Sequence, residues 1–165
     1  MFDDDTPSIL DLLRETTDTT TTTLASARAQ FQAALEVGKT TCPCCLRYAK
    51  IQTRPFTDRM ARFLIRLVRA WTTSPRPYRV REIQERSGEK GSTDASYLVG
   101  WGLIRRDARD QYEPTNEGVA FVRGEVSVLS HARTYDRRCR GLTGEPITIA
   151  DALGEPFDLD ALRAT

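Results

Sequence analysis

Apolar residues recur at helical spacing in two long stretches of this chain. From Asp58 to about Trp71, the side chains of Met60, Phe63, Leu64, Leu67, Val68 and Trp71 fall within one stripe, and Arg59, Arg62, Arg66 and Arg69 fall on the opposite face. This predicts a core helix with one basic side, capped by Thr57 or Asp58. From Leu24 to Val37, a second helix is predicted with Leu24, Ala27, Phe31, Ala34 and Leu35 on one face and Gly38 at its end. That face must pack on the body of the protein or on a second copy. Val80 to Arg86 predicts a short helix with Val80 and Ile83 inward. It is separated from the core helix by Ser74-Pro75-Arg76-Pro77, where two proline rings forbid helix continuation. Ser8 to Arg14 is amphipathic but too short to be stable alone, and Thr16 to Thr23 has no apolar period and is a linker.

The segment from Thr93 to Gly124 carries a more specific order. A helix through Leu98 and Trp101 stops at Gly102, which tolerates a left-handed C-terminal conformation, and Leu103-Ile104 begin a strand. Asp107-Ala108-Arg109-Asp110 supplies turn formers, Tyr112 lies on a returning strand, and Pro114 limits how far the ribbon pairs. Thr115 can cap a following helix whose first turn holds Asn116 and Glu117.

This order resembles a winged helix-turn-helix domain of the MarR-like kind. The match rests on Leu98, Gly102-Leu103-Ile104, Arg105, Arg106, Arg109 and Thr115 to Gly118. The resemblance implies that the helix beginning at Thr93 is the recognition helix, that Ser87 to Ser92 is the turn before it, and that the arginine-bearing ribbon is the wing. Residues Ser92, Thr93, Asp94, Ser96 and Tyr97 would then face a DNA groove, with affinity supplied by Lys90, the wing arginines Arg105, Arg106 and Arg109, and Arg59, Arg62 and Arg66 of the first helix. The array of CPCC, helices and ribbon, ending in Ala152-Leu153-Gly154 with Phe157-Asp158, also resembles small bacteriophage proteins that carry no assigned activity.

Beyond Gly124, residues Glu125 to Leu142 suggest a second hairpin turning near Thr134-Tyr135-Asp136, and Ile147 to Ile149 a further strand. Ala150 to Leu153 and Phe157 to Leu162 suggest helical turns that bury Leu153, Phe157, Leu159 and Leu162. The expected fold class is α+β: residues 1–23 an acidic, threonine-rich flexible segment, 24–55 a helix and cysteine knuckle, 56–124 the winged helix-turn-helix, and 125–165 a hairpin with a helical tail.

Charge sharpens this picture. The formal net charge is +1, but residues 1–38 carry 7 acidic and 2 basic side chains, residues 39–140 carry 11 and 21, and residues 141–165 carry 5 and 1. A middle at +10 between ends at −5 and −4 is an electrostatic footprint for a polyanion. The alternative is a solvated charged surface. The acidic start Met1-Phe2-Asp3-Asp4-Asp5 is the wrong flank for a secretory signal, and no apolar run reaches membrane-spanning length, so a cytoplasmic location off the membrane is expected.

The cysteines add candidate chemistry. Cys42 and Cys45 have C-x-x-C spacing with Pro43 between them, which lets two thiolates hold one metal from a tight knuckle resembling half of a zinc ribbon. Cys44 is a spare or a substitute ligand. A structural zinc needs four ligands. If the second hairpin is centred on Tyr135, His131 and Cys139 are cross-strand neighbours and complete a Cys42, Cys45, His131, Cys139 site. Two alternatives stand beside it: a surface histidine with an unpaired cysteine, and a redox pair, although the strand-to-helix context of a thioredoxin-like motif is missing.

With one histidine and no glycine-rich phosphate loop or metalloprotease motif, the expectation is a protein that is not an enzyme. The leading expectation is a small regulator that binds double-stranded DNA and contains structural zinc. The alternative is a protein-interaction module or phage-type inhibitor that docks on a host protein. In either case Leu24 to Val37 is a candidate homodimer arm.

Overall fold

The computed structural model describes residues 23–87, 94–107 and 109–154, as a mixed α+β protein. The predicted elements at Ser8 to Arg14 and Phe157 to Leu162, nearly all of the threonine linker, and the candidate DNA contacts Lys90, Ser92 and Thr93 lie outside the described residues. The chain divides into two compact units, residues 1–50 and 51–165.

In the first unit, helix α1 (Leu24–Val37) starts where the Thr23 hydroxyl accepts the Ser26 N–H. Ala27 and Leu35 are buried and Phe31 is half-buried, but Leu24 and Ala34 of the predicted stripe are exposed. Gly38 caps α1 in an extended conformation open to any residue, so no left-handed glycine ends this helix. The helix is followed by strands β1 (Thr40–Thr41) and β2 (Tyr48–Ala49), paired antiparallel with Thr40 opposite Ala49. The sequence suggested no strands here. They form because the cysteine knuckle between them reverses the chain tightly enough to bring its flanks into register.

The second unit is built around α2 (Asp58–Thr73). Thr57 caps it by accepting the Met60 N–H, and Asp58 lies in its first turn, where the helix dipole favours a negative charge. Its buried set is wider than one stripe, because Ala61 and Ile65 are covered as well as Met60, Phe63, Leu64, Leu67 and Val68. It packs against α3 (Val80–Ser87), α4 (Ala95–Leu98), β5 (Tyr112–Pro114), α5 (Asn116–Val122) and α6 (Ile149–Leu153).

Between α2 and α3, Pro75 and Pro77 hold the chain away from helical geometry, and Tyr78 forms a single bridge with Tyr112, exchanging two backbone hydrogen bonds of 2.8 Å. The buried Tyr78 hydroxyl donates to the carbonyls of Ala70 and Ser74, which pins the bridge to the last turn of α2. Strand β4 (Ile104–Arg106) pairs with β5, so Tyr78, β5 and β4 lie side by side. The turn of this ribbon is held by the Asp107 carboxylate, which accepts the N–H groups of Arg109 and Gln111.

The helix before the ribbon is shorter than its apolar pattern suggested. It is α-helical only through Leu98 and tightens to a 3-10 turn over Val99–Trp101, which Gly102 ends in the left-handed conformation, φ 74°. One lock then joins ribbon and following helix. The Thr115 hydroxyl donates to the Gly102 carbonyl at 2.7 Å and accepts the Gly118 N–H at 3.0 Å, while the Thr115 N–H donates to the Leu103 carbonyl. A Cβ on Gly118 would collide with that Leu103 carbonyl. Gly118→Ala is therefore expected to destabilise the unit by about 1–3 kcal/mol. The backbone cannot yield without breaking the lock, and this overpacking outweighs the roughly 1 kcal/mol that alanine gains in a helix interior. Urea denaturation checks it, and an unchanged or raised midpoint would refute the packing argument.

A second sheet orders β3 (Gln52–Pro55), β6 (Val128–Tyr135) and β7 (Arg138–Ile147) antiparallel. The hairpin turns at Asp136-Arg137, both left-handed, rather than being centred on Tyr135. With two irregularities in β6, the register places His131 opposite Thr143 and Cys139 opposite Thr134, so His131 and Cys139 are not cross-strand partners. The strand expected over Ile147 to Ile149 is also different. Ile147 ends β7, and Ile149 opens α6, where Thr148 and Asp151 form a reciprocal capping box. Phe121, Val128, Ala132, Ile149 and Leu153 share one buried cluster with Phe63 and Leu64, so the C-terminal hairpin and helix belong to the same core as α2.

Candidate functional site

The second unit contains an arginine-lined cleft of about 340 Å³ formed by α4, the 3-10 turn, the ribbon and the tip of the β6–β7 hairpin. Ser96 and Tyr97 come from the helix, Arg106 from the ribbon, and Arg137 and Arg138 from the hairpin tip. No carboxylate is among the described residues that line it.

The sequence explains how these parts meet. Gly100 lies against Cys139: a Cβ there would sit 3.0 Å from the cysteine Cβ, so the missing side chain lets the hairpin approach the turn. The buried Trp101 secures the same contact, since its indole N–H donates to the Leu129 carbonyl at 2.7 Å and its ring meets Phe56 edge-on. Behind the cleft, the Arg54 guanidinium stacks over the Tyr97 ring at 4.4 Å, and its Nη2 donates to Gln52. The buried Arg54 Nε has no hydrogen-bond partner.

Of the expected nucleic-acid contacts, Ser96, Tyr97 and Arg106 converge here, with Ser96 exposed and Tyr97 half-buried. Arg105 lies on the other side of the ribbon from the cleft residues, beside Glu113 at 2.9 Å, and Arg106 itself bonds Asp110 at 2.7 Å. The same Asp110 accepts the Tyr112 hydroxyl, and burial first, then this carboxylate, push the Tyr112 hydroxyl above its ordinary pKa. Arg109 is exposed at the ribbon turn. On α2, Arg59 is exposed, and Arg62 and Arg66 are half-buried, with Arg62 3.8 Å from Asp58. Sequence reasoning missed Arg137, Arg138 and Arg54. The available signal was the run Arg137-Arg138 beside Arg133 and Arg140, but only the fold brings that run to α4.

The first unit carries the cysteine knuckle. The Cys42 N–H donates to the Arg47 carbonyl and the Leu46 N–H to the Cys42 carbonyl, both at 2.9 Å, closing a tight loop with Leu46 left-handed at φ 57°. Hydrogen bonding from the backbone of Cys45, and then of Cys44, holds the Cys42 thiol below its usual value. The neighbouring side chains of Cys45 and then Cys44 lower the same thiol further. Two thiols aided by amide donors fit half of a tetrahedral zinc site. Among the described residues no three His, Cys, Asp or Glu side chains gather as a metal-binding group, and all four cysteines are free. In the second unit, His131 Nδ1 lies 2.9 Å from the Ser130 hydroxyl, and the Cys139 thiol donates weakly to the Gly141 carbonyl.

Among the described residues no helix is long and apolar enough to cross a membrane. Comparison of the chain with protein-family models, with curated proteins and with solved structures gives no match.

Proposed function

We propose that this protein is a non-enzymatic binder of double-stranded DNA, a small regulator whose second unit works as a winged helix-turn-helix. The observation that carries this reading is the convergence of Ser96, Tyr97, Arg106, Arg137 and Arg138 on one cleft lined by no described carboxylate. The order of α2, α3 and α4, a ribbon aligned with Tyr78, and then α5 supports it. In this arrangement α4 presents hydroxyl-bearing side chains to base edges, while arginines from two ribbons flank it and take phosphates. The ion pairs of Arg105 and Arg106 are solvent-exposed and worth about 0–1 kcal/mol, so phosphates can displace their carboxylates.

A fluorescence titration with duplex DNA at two salt concentrations tests it. Four phosphate contacts predict a loss of affinity on the order of 100-fold between about 50 and 200 mM salt. Salt-insensitive binding, or none at the lower salt, would sink the reading.

The zinc proposal belongs to the first unit: Cys42 and Cys45 hold the metal for stability, with no part in chemistry on a substrate. A second functional reading, docking on a host protein, has one observation of its own. Large exposed apolar side chains collect in the first unit, with Leu24 at 69%, Val37 at 92%, Leu46 at 79% and Tyr48 at 65% exposure.

A further inference from the structure

Two sulfurs make half of a zinc site. Cys42 and Cys45 are preset as that half by the loop that Leu46 and Arg47 close, and structural zinc takes four ligands. The other half has few sources. Cys44 sits inside the same knuckle as a spare thiol and by itself cannot supply the two missing ligands, and outside the knuckle Cys139 and His131 are the only further cysteine and histidine in the whole sequence. The second unit does not present them as a pair: the strand register sets His131 against Thr143 and Cys139 against Thr134, and Cys139 packs on Gly100. A second knuckle is a pair already in the right geometry. The surface around the first one suits such a partner, because Leu46 and Tyr48 stand exposed on the knuckle's own ribbon.

We propose that one zinc ion bridges two copies of this chain, held by Cys42 and Cys45 of each. The proposal rests on the zinc reading above and supplies what that reading leaves open. A two-fold axis through the metal makes the contact self-complementary, so it closes at a dimer. Four thiolates then surround the ion, all four thiol protons are released on binding, and no oxidant or reductant is needed.

The full-length chain, purified without chelator, tests this by metal analysis together with mass from light scattering. The expected result is half an equivalent of zinc per chain and a dimer whose mass halves when a chelator removes the metal. Cys42→Ser with Cys45→Ser should be monomeric and zinc-free, while Cys139→Ser and His131→Ala should keep both zinc and dimer. Chelation of the unaltered chain gives the same answer should the double variant fail to fold. One zinc per monomer, lost in Cys139→Ser, would overturn the bridge and leave the zinc reading standing with ligands from a single chain. Absence of zinc from every preparation would overturn both.

Discussion

Replacing Trp101 by alanine is expected to lower the stability of the second unit by about 3–5 kcal/mol, the largest single-residue effect we anticipate. The indole is buried in the 3-10 turn, edge-on to Phe56 at a centroid distance of 5.3 Å, and Phe56 in turn meets Phe121 at 5.5 Å. Truncation therefore opens a cavity between the 3-10 turn and Phe56, which packs on Phe121 of α5. It also removes the donor to the Leu129 carbonyl. Trp101→Phe separates the two contributions: it keeps most of the apolar contact and leaves that carbonyl without its partner, for an expected loss of about 1–3 kcal/mol. Urea midpoints at constant slope measure both. A loss below about 1 kcal/mol for alanine would show that the turn and the hairpin are joined by something other than the indole.

Reversing charge at the hairpin tip, Arg137→Glu with Arg138→Glu, is expected to weaken duplex DNA binding at least 10-fold at about 50 mM salt and to flatten the salt dependence by about two phosphate contacts. Both side chains are exposed and line the cleft beside Ser96 and Tyr97, so the fold should be affected by only about 0.5 kcal/mol. The ribbon arginines are a weaker lever. Arg105 and Arg106 already sit against Glu113 and Asp110, so part of their attraction for phosphate is spent on exchanging partners. Unchanged affinity and slope in the double variant would remove the hairpin from the interface and leave DNA contact to the ribbon alone.

Much of the fold was legible because it is written in local chemistry. The apolar stripe of α2 and its Thr57 cap, the inward Ile83 of α3, the stop at Gly102, the aspartate-held ribbon turn and the Thr115 cap each depend on residues within about one or two turns of chain. The candidate site was legible only in pieces. Ser96, Tyr97 and Arg106 could be named from the order of elements, but Arg137 and Arg138 could not. Their turn uses two left-handed residues, Asp136 and Arg137, at positions where glycine or asparagine would ordinarily signal it. Without that signal the sequence centres the hairpin too early, and the pairing of His131 with Cys139 fails because the strands turn after Tyr135 and an irregularity between Arg133 and Thr134 shifts the register further.

The sequence alone determined the periods, caps and breaks, since these follow from each residue's own conformational preferences and those of its near neighbours. Tertiary structure decided which distant segments meet: the missing side chain at Gly100 admits Cys139, and the indole of Trp101 reaches Leu129, 28 residues away. Such contacts depend on shape complementarity across the core, which no local pattern encodes, and they bring the hairpin's arginines to the exposed face of α4.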